Sequence, residues 1–120
     1  MSPVQIYKQM GRMQQLKGKR GEEELAAILQ QAGYSVQRGP SQNYGTLPDV
    51  SGLPYIHIEC KRQERLDLLG AIQQAQRDSE RFQDGLPAVF HRRNRSPWLV
   101  TMPLDCWMQL YKKAERREME

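Results

Sequence analysis

Pro48-Asp49-Val50 and, after a short break, Tyr55-Ile56-His57-Ile58-Glu59-Cys60-Lys61 decide how this chain reads. The second segment alternates. Successive side chains on a strand point to opposite faces, so Ile56, Ile58 and Cys60 are expected to face a core. Glu59 and Lys61 then share the other face with His57. Gly52-Leu53-Pro54 between the segments has turn chemistry. A hairpin there returns Asp49 to the side of Glu59, which places two carboxylates and an ammonium at one end of a sheet.

Neighbouring carboxylates repel, and a hard divalent cation relieves the repulsion. Mg²⁺ takes oxygen ligands, usually one or two carboxylates with waters and substrate phosphates; Mn²⁺ is the alternative. The backbone carbonyl of Cys60 is a further candidate ligand. An ion so placed polarises a phosphodiester and lowers the pKa of water. Lys61 would orient that water or neutralise developing charge. It is a poor free base, because adjacent carboxylates favour its charged form. An oxygen-ligand site has little use for His57 or His91. The competing explanation is a solvated strand face with one ion pair and an ordinary Pro-Asp turn. A third acid and a basic surface converging on the same place would decide against it.

The third acid is expected from a helix over residues 18–32, where Leu25, Ile28, Leu29 and Ala32 form one stripe and Gly33 follows as a cap. Glu22, Glu23 and Glu24 are not equivalent on it. Glu22 lies at the border of the buried face, Glu23 points to solvent and Glu24 lies on the opposite flank. If one acid reaches the sheet, it is Glu22. The alternative is that all three stabilise the helix N-terminus through its dipole.

Around these elements the chain is simple. Residues 1–16 carry Ile6, Met10, Met13 and Leu16 at helical spacing and form a leader or helical arm. A short strand over 34–38 leads into a polar loop that borders Asp49. A second helix runs over 66–84 with Leu68, Ile72, Ala75, Ser79 and Phe82 on one face and Gly85 as its cap. Ala88-Val89-Phe90 is a buried-strand run. It is followed by the basic His91-Arg92-Arg93-Asn94-Arg95 connection and a strand over 98–102. A closing amphipathic helix carries Leu104, Trp107, Met108, Tyr111 and Ala114, and residues 116–120 form a tail. The order is α-β-β-β-α-β-β-α, an α/β domain with a mixed β-sheet flanked by helices.

The 120 residues suit one domain; 38% are hydrophobic, 27% are charged and the net charge is +4. Acids for an ion on a basic chain suit an anionic partner such as DNA. The two cysteines have no paired spacing, which argues against zinc motifs and disulfides and for a reducing cytoplasm. No apolar run marks a signal peptide or membrane span.

With these residues placed, the chain resembles the PD-(D/E)xK nuclease superfamily, and within it the archaeal-type and phage-borne Holliday junction resolvases. Lys17-Gly18-Lys19-Arg20-Gly21-Glu22-Glu23-Glu24-Leu25 is similar to the opening Lys-Gly-x-x-x-Glu-x-Glu-Leu of those enzymes. Gly33-Tyr34-Ser35-Val36-Gln37-Arg38 continues the likeness, and Pro48-Asp49 with Glu59-Cys60-Lys61 matches the name-giving motif. The resemblance implies a restriction-endonuclease-like fold over residues 17–115, metal-binding acids at Glu22, Asp49 and Glu59, and a catalytic Lys61. It also implies DNA contacts from Arg38 and Ser41. Lys17, Lys19, Arg20, Arg62, Arg92, Arg93 and Arg95 are the flanking cations expected to hold phosphates. The resulting expectation is a Mg²⁺-dependent, structure-selective endodeoxyribonuclease that resolves four-way junctions as a homodimer. The alternatives are a general or nicking nuclease of the same fold and a DNA-binding module that does not cut.

Overall fold

The computed structural model describes the backbone of residues 3–39 and 48–119 and the side chains of residues 18–39 and 48–117, with that of Gln5. Its elements follow the expected order. Helix α1 (Pro3–Gln31) is continuous, so the leader and the first domain helix are one element and not two. Gly11 and Gly18 lie inside it at a helix-propensity cost of about 1 kcal/mol each. Gly33, with φ of 104°, ends it. Its N–H donates to the Gln30 carbonyl at 3.0 Å and that of Tyr34 to Leu29 at 3.2 Å, satisfying carbonyls the helix leaves open. The apolar leader side chains lie outside the described residues.

A five-stranded sheet follows in spatial order β1 (Gln37–Arg38), β2 (Val50–Ser51), β3 (Ile56–Arg62), β4 (Leu86–Arg92), β5 (Leu99–Thr101). All neighbours are antiparallel except β3 and β4, which run parallel from Ile56↔Leu86 to Arg62↔Arg92. A parallel pair needs a crossover, and α2 (Leu68–Phe82) supplies it. Alternation then splits the interior. Ile58, Ala88 and Phe90 pack with Leu25, Ala26, Val36 and Val50 on the α1 side, joined by Ile56 and Cys60. Val89 packs with Ala71 and Ala75 on the α2 side.

That second layer decides against the solvated-face alternative for β3. His57 is 1% exposed and Glu59 4%, so the polar face of the strand is roofed and not solvated. The reason is the parallel pairing, whose crossover helix must lie on a sheet face.

Two helix ends also differ from expectation. Asp67 caps α2, its carboxylate accepting from the Gly70 N–H at 3.0 Å. The left-handed residue at the other end is Gln83, with φ of 48°, and not Gly85. Gly85 serves a different need: at φ of 132° a Cβ there would lie 2.5 Å from the Tyr55 carbonyl oxygen. The close approach lets Leu86 donate to that oxygen at 2.7 Å and sets the β3–β4 register. Helix α3 (Leu104–Met119) closes the chain and buries Cys106. Its apolar residues are largely open, with Leu104 73%, Trp107 48% and Tyr111 50% exposed.

Gly21 positions the rest. It is buried, and a Cβ on it would stand 2.7 Å from the Cβ of Arg62. Only a glycine lets α1 lie this close to the end of β3, and the next residue is Glu22. Alanine would gain up to about 1 kcal/mol in helix propensity and lose about 1–3 kcal/mol to overpacking. Gly21→Ala is therefore expected to lower the melting temperature and to lift Glu22 away from the sheet. A variant that melts at or above the wild-type temperature would show that the helix does not press on Arg62.

Candidate active site

The antiparallel pairing Val50↔Ile58 puts Asp49 opposite Glu59 one step along. Helix α1 brings Glu22 to the same end. Three neighbouring groups feel the convergence. Burial, and next the Asp49 carboxylate, push the Glu22 carboxyl up to about 7, with Glu59 adding and Arg38 opposing. Asp49, although on the surface, is raised by lost solvation and then by Glu59, with Lys61 opposing. The Cys60 thiol, between Glu59 and Lys61 on β3, is pushed up to about 12 by burial and then by Glu22, Asp49 and Glu59. It stays neutral, so it is no nucleophile. Lys61 reaches the cluster from the same face as Glu59, its Nζ 3.6 Å from Glu59 Oε1.

Acids that raise one another are acids whose charge the protein leaves uncompensated. Lys61, His57 and Arg38 lean on them, the last with Nε 3.8 Å from Glu22. An all-carboxylate set with a backbone carbonyl alongside is the donor chemistry of a hard divalent ion, so the residues present fit one.

The basic residues divide. Arg38 pairs with Glu22 and hydrogen-bonds Glu23. Glu24 is a hub: it accepts from Arg92 and from the Trp98 indole at 2.8 Å, and Arg62 Nε lies 3.7 Å away. Arg92 also donates to the Ser96 carbonyl at 2.8 Å. Arg62 and Arg92, like Arg38, have acidic partners on α1 in the DNA-free protein. Lys19, Arg20, Arg93 and Arg95 are exposed. Ser41 and the Lys17 side chain lie outside the described residues. The dipole explanation for Glu22, Glu23 and Glu24 fails because α1 begins at Pro3, far from them. Glu23 is also more than a solvated acid, since it holds Arg38. His91 is no cation either: burial lowers its pKa, and its Nε2 meets Thr101 Oγ1 at 2.8 Å across β4 and β5.

The sequence reading passed over one group. His57 faces the α2 side with Glu59, its Nδ1 2.9 Å from each Asp84 carboxylate oxygen and its Nε2 3.7 Å from Glu59 Oε2. Burial works to lower the His57 pKa, but Glu59 and Asp84 overcome it and the net shift is upward. Asp78 of α2 stands beside them in a cleft of about 110 Å³. The signal was present, because period two already put His57 next to Glu59. Asp78 had none, since its approach depends on how α2 crosses the sheet.

A Pro-Asp strand end, a Glu-x-Lys strand and a helix-borne Glu converging on one end of a mixed sheet define a PD-(D/E)xK nuclease. The chain matches the archaeal Holliday junction resolvase (hjc) family model over residues 13–105 and belongs to that family. It is therefore a metal-dependent, structure-selective endonuclease of the junction-resolving kind. Among solved structures it is similar in fold to Hjc, a Holliday junction resolvase from the archaeal hyperthermophile Archaeoglobus fulgidus. The identity is 24%, the TM-score 0.54, and the match covers 71% of this chain and 76% of that one. No curated protein sequence matches the chain. Among the described residues no helix is long and apolar enough to cross a membrane.

The raised carboxyls have a consequence for stability. Between its ordinary value of 4.5 and about 7, Glu22 holds a proton in the folded protein that the unfolded chain has released. Folding stability therefore falls as pH rises through that window, by up to about 3 kcal/mol from this group, and Asp49 acts in the same direction. In metal-free protein, Glu22→Gln should leave the melting temperature nearly unchanged at about pH 4.5 and raise it at about pH 8. A stabilisation independent of pH would mean that Glu22 does not share charge with Asp49 and Glu59.

Proposed function

We propose that the chain resolves four-way DNA junctions by Mg²⁺-dependent paired nicks, working as a homodimer in the cytoplasm. Glu22, Asp49 and Glu59, with the Cys60 carbonyl, are the proposed ion ligands. The observation that carries this reading is the convergence of those acids at one end of the sheet beside Lys61, where burial and then neighbouring carboxylates raise the Glu22 and Asp49 carboxyls. When bound, the ion polarises the scissile phosphodiester and makes water more acidic. The protein's own part is positional and electrostatic. Lys61, with its Nζ 3.6 Å from Glu59, faces the extra negative charge that builds on the phosphate as water adds. Lys19, Arg20, Arg93 and Arg95 are the proposed phosphate contacts. Arg38 joins them when DNA phosphate replaces its acidic partners.

One domain with one acid cluster has one cutting centre, and a junction needs two symmetric nicks. A two-fold dimer meets that need with one self-complementary patch. The open apolar side chains of β5 and α3, Leu99, Val100, Leu104, Trp107 and Tyr111, support a second copy as the partner. Trp107 and Tyr111 already stack with ring centroids 5.2 Å apart, a ready-made apolar ridge.

Cleavage of four-way junction, flap, nicked and linear duplex DNA, with and without Mg²⁺, tests the reading. Asp49→Asn is expected to lose at least about two to three orders of magnitude in rate while binding DNA as well as or better than wild type. Mixed wild-type and Asp49→Asn dimers should nick junctions once and seldom resolve them. Wild-type cutting by Asp49→Asn would remove the site assignment. Full resolution by mixed dimers, or a strict monomer on junction DNA, would remove the paired-centre argument.

Replacing Arg93 and Arg95 with Gln should weaken junction binding and flatten log affinity against log salt by about one unit per lost contact. An unchanged slope would return that hairpin to the ordinary solvated surface.

A further inference from the structure

The cleft between β3 and α2 adjoins the nuclease cluster, since Asp49 and Glu59 line it, and it adds two groups that the cluster's proposed ligand set leaves out, His57 and Asp78. One ligand atom from each of His57, Glu59 and Asp78 lies within 4.8 Å of the others. His57 is almost wholly buried, and its Nε2 has no hydrogen-bond partner. Its nearest carboxylate oxygen is 3.7 Å away, too far for a hydrogen bond. An orphaned imidazole nitrogen in the interior is costly, and this one is aimed between two acids.

The other ring nitrogen explains the aim. Nδ1 is bound by both oxygens of Asp84 at 2.9 Å, with Phe82 stacked on the ring at 6.3 Å between centroids. A carboxylate behind the ring holds Nδ1 and leaves Nε2 to face the cleft, where a bound ion would displace any proton it carries, as at metal-bound histidines with such outer partners. A histidine kept only to pair with Asp84 would need no acids at its far nitrogen.

Glu59 has two oxygens with separate duties. Oε1 faces Lys61 at 3.6 Å and Oε2 faces His57 at 3.7 Å. Donors around an ion with bonds of about 2.1 Å stand about 3–3.5 Å apart. Closing the present spacing takes shifts of about an ångström. Asp78 is half-buried on the wall of the cleft and can supply them by side-chain rotation.

We propose that His57, Glu59 and Asp78 form a second divalent-metal site, suited to Zn²⁺-type ions and sharing Glu59 with the nuclease cluster. Imidazole selects Zn²⁺ and its neighbours, whereas Mg²⁺ keeps to oxygen. The shared carboxylate couples the two sites, since an ion on Oε2 fixes the orientation in which Oε1 is presented to Lys61. The site does not rest on the junction-resolving reading, and its test uses no DNA.

The test is calorimetric titration of the full-length protein with Zn²⁺ in excess Mg²⁺. Tight Zn²⁺ binding is expected, weakened at least about tenfold in Asp78→Asn and in His57→Gln and retained in Asp49→Asn and Glu22→Gln. Co²⁺ in place of Zn²⁺ should give a strongly shifted proton resonance from the Nδ1–H of His57, absent in His57→Gln. Because His57 is buried and its variant can misfold, Asp78→Asn on the open wall decides the point alone. Zinc affinity unchanged in Asp78→Asn, or lost equally in Asp49→Asn, overturns the proposal.

Discussion

One pairing governs the molecule: β2 lies antiparallel to β3 with Val50 across from Ile58. A slip of one residue would turn every side chain of β2 to the other face. Val50 would leave the α1-side core, and Asp49 would leave Glu59. Packing and chemistry are thus locked to the same register. The apolar contact of Val50 and Ile58, each 1% exposed, holds two carboxylates together against their repulsion.

Much of this was legible in the residues. Alternation over 56–61 and the turn chemistry of 52–54 were enough to pair Asp49 with Glu59. The helical stripe through Leu25 and Leu29 was enough to single out Glu22 from its neighbours. What could not be read depends on how layers stack. Whether the His57 face of β3 meets water or a helix depends on β4 running parallel, a non-local fact. Asp78 and Asp84 were invisible for the same reason, since α2 brings them to a strand many residues away. Glu24 was set aside as lying on the wrong flank, yet that flank is where the β4–β5 hairpin returns with Arg92 and Trp98. The exposed stripe of α3 reads from sequence as ordinary amphipathicity, because periodicity identifies an apolar face and not what covers it.

The acids on α1 show how local charges are divided between function and architecture. Glu23 and Glu24 hold arginines and tie the helix to β1 and to the hairpin. Glu22, turned by one helical step, meets other acids instead. The three consecutive glutamates point in three directions at 3.6 residues per turn, so a run that looks redundant in sequence is not redundant in space. Gly21, by admitting the helix close to Arg62, fixes the angle from which all three depart.

The parallel β3–α2–β4 unit has a consequence for how the protein opens and closes. It carries Glu59, Lys61, His57, Asp78 and Asp84, and its strands pair over seven residues. Asp49 sits outside it, at the head of a two-residue strand. Stability in proteins is distributed over cooperative units, and short edge elements open more readily than central ones. Fraying of β1 and β2 would withdraw Asp49, and with it one wall of the histidine cleft, while leaving the central unit paired. Local opening can thus part Asp49 from Glu59 without unfolding, and amide protection at Val50 and Ser51 would report how often it does so.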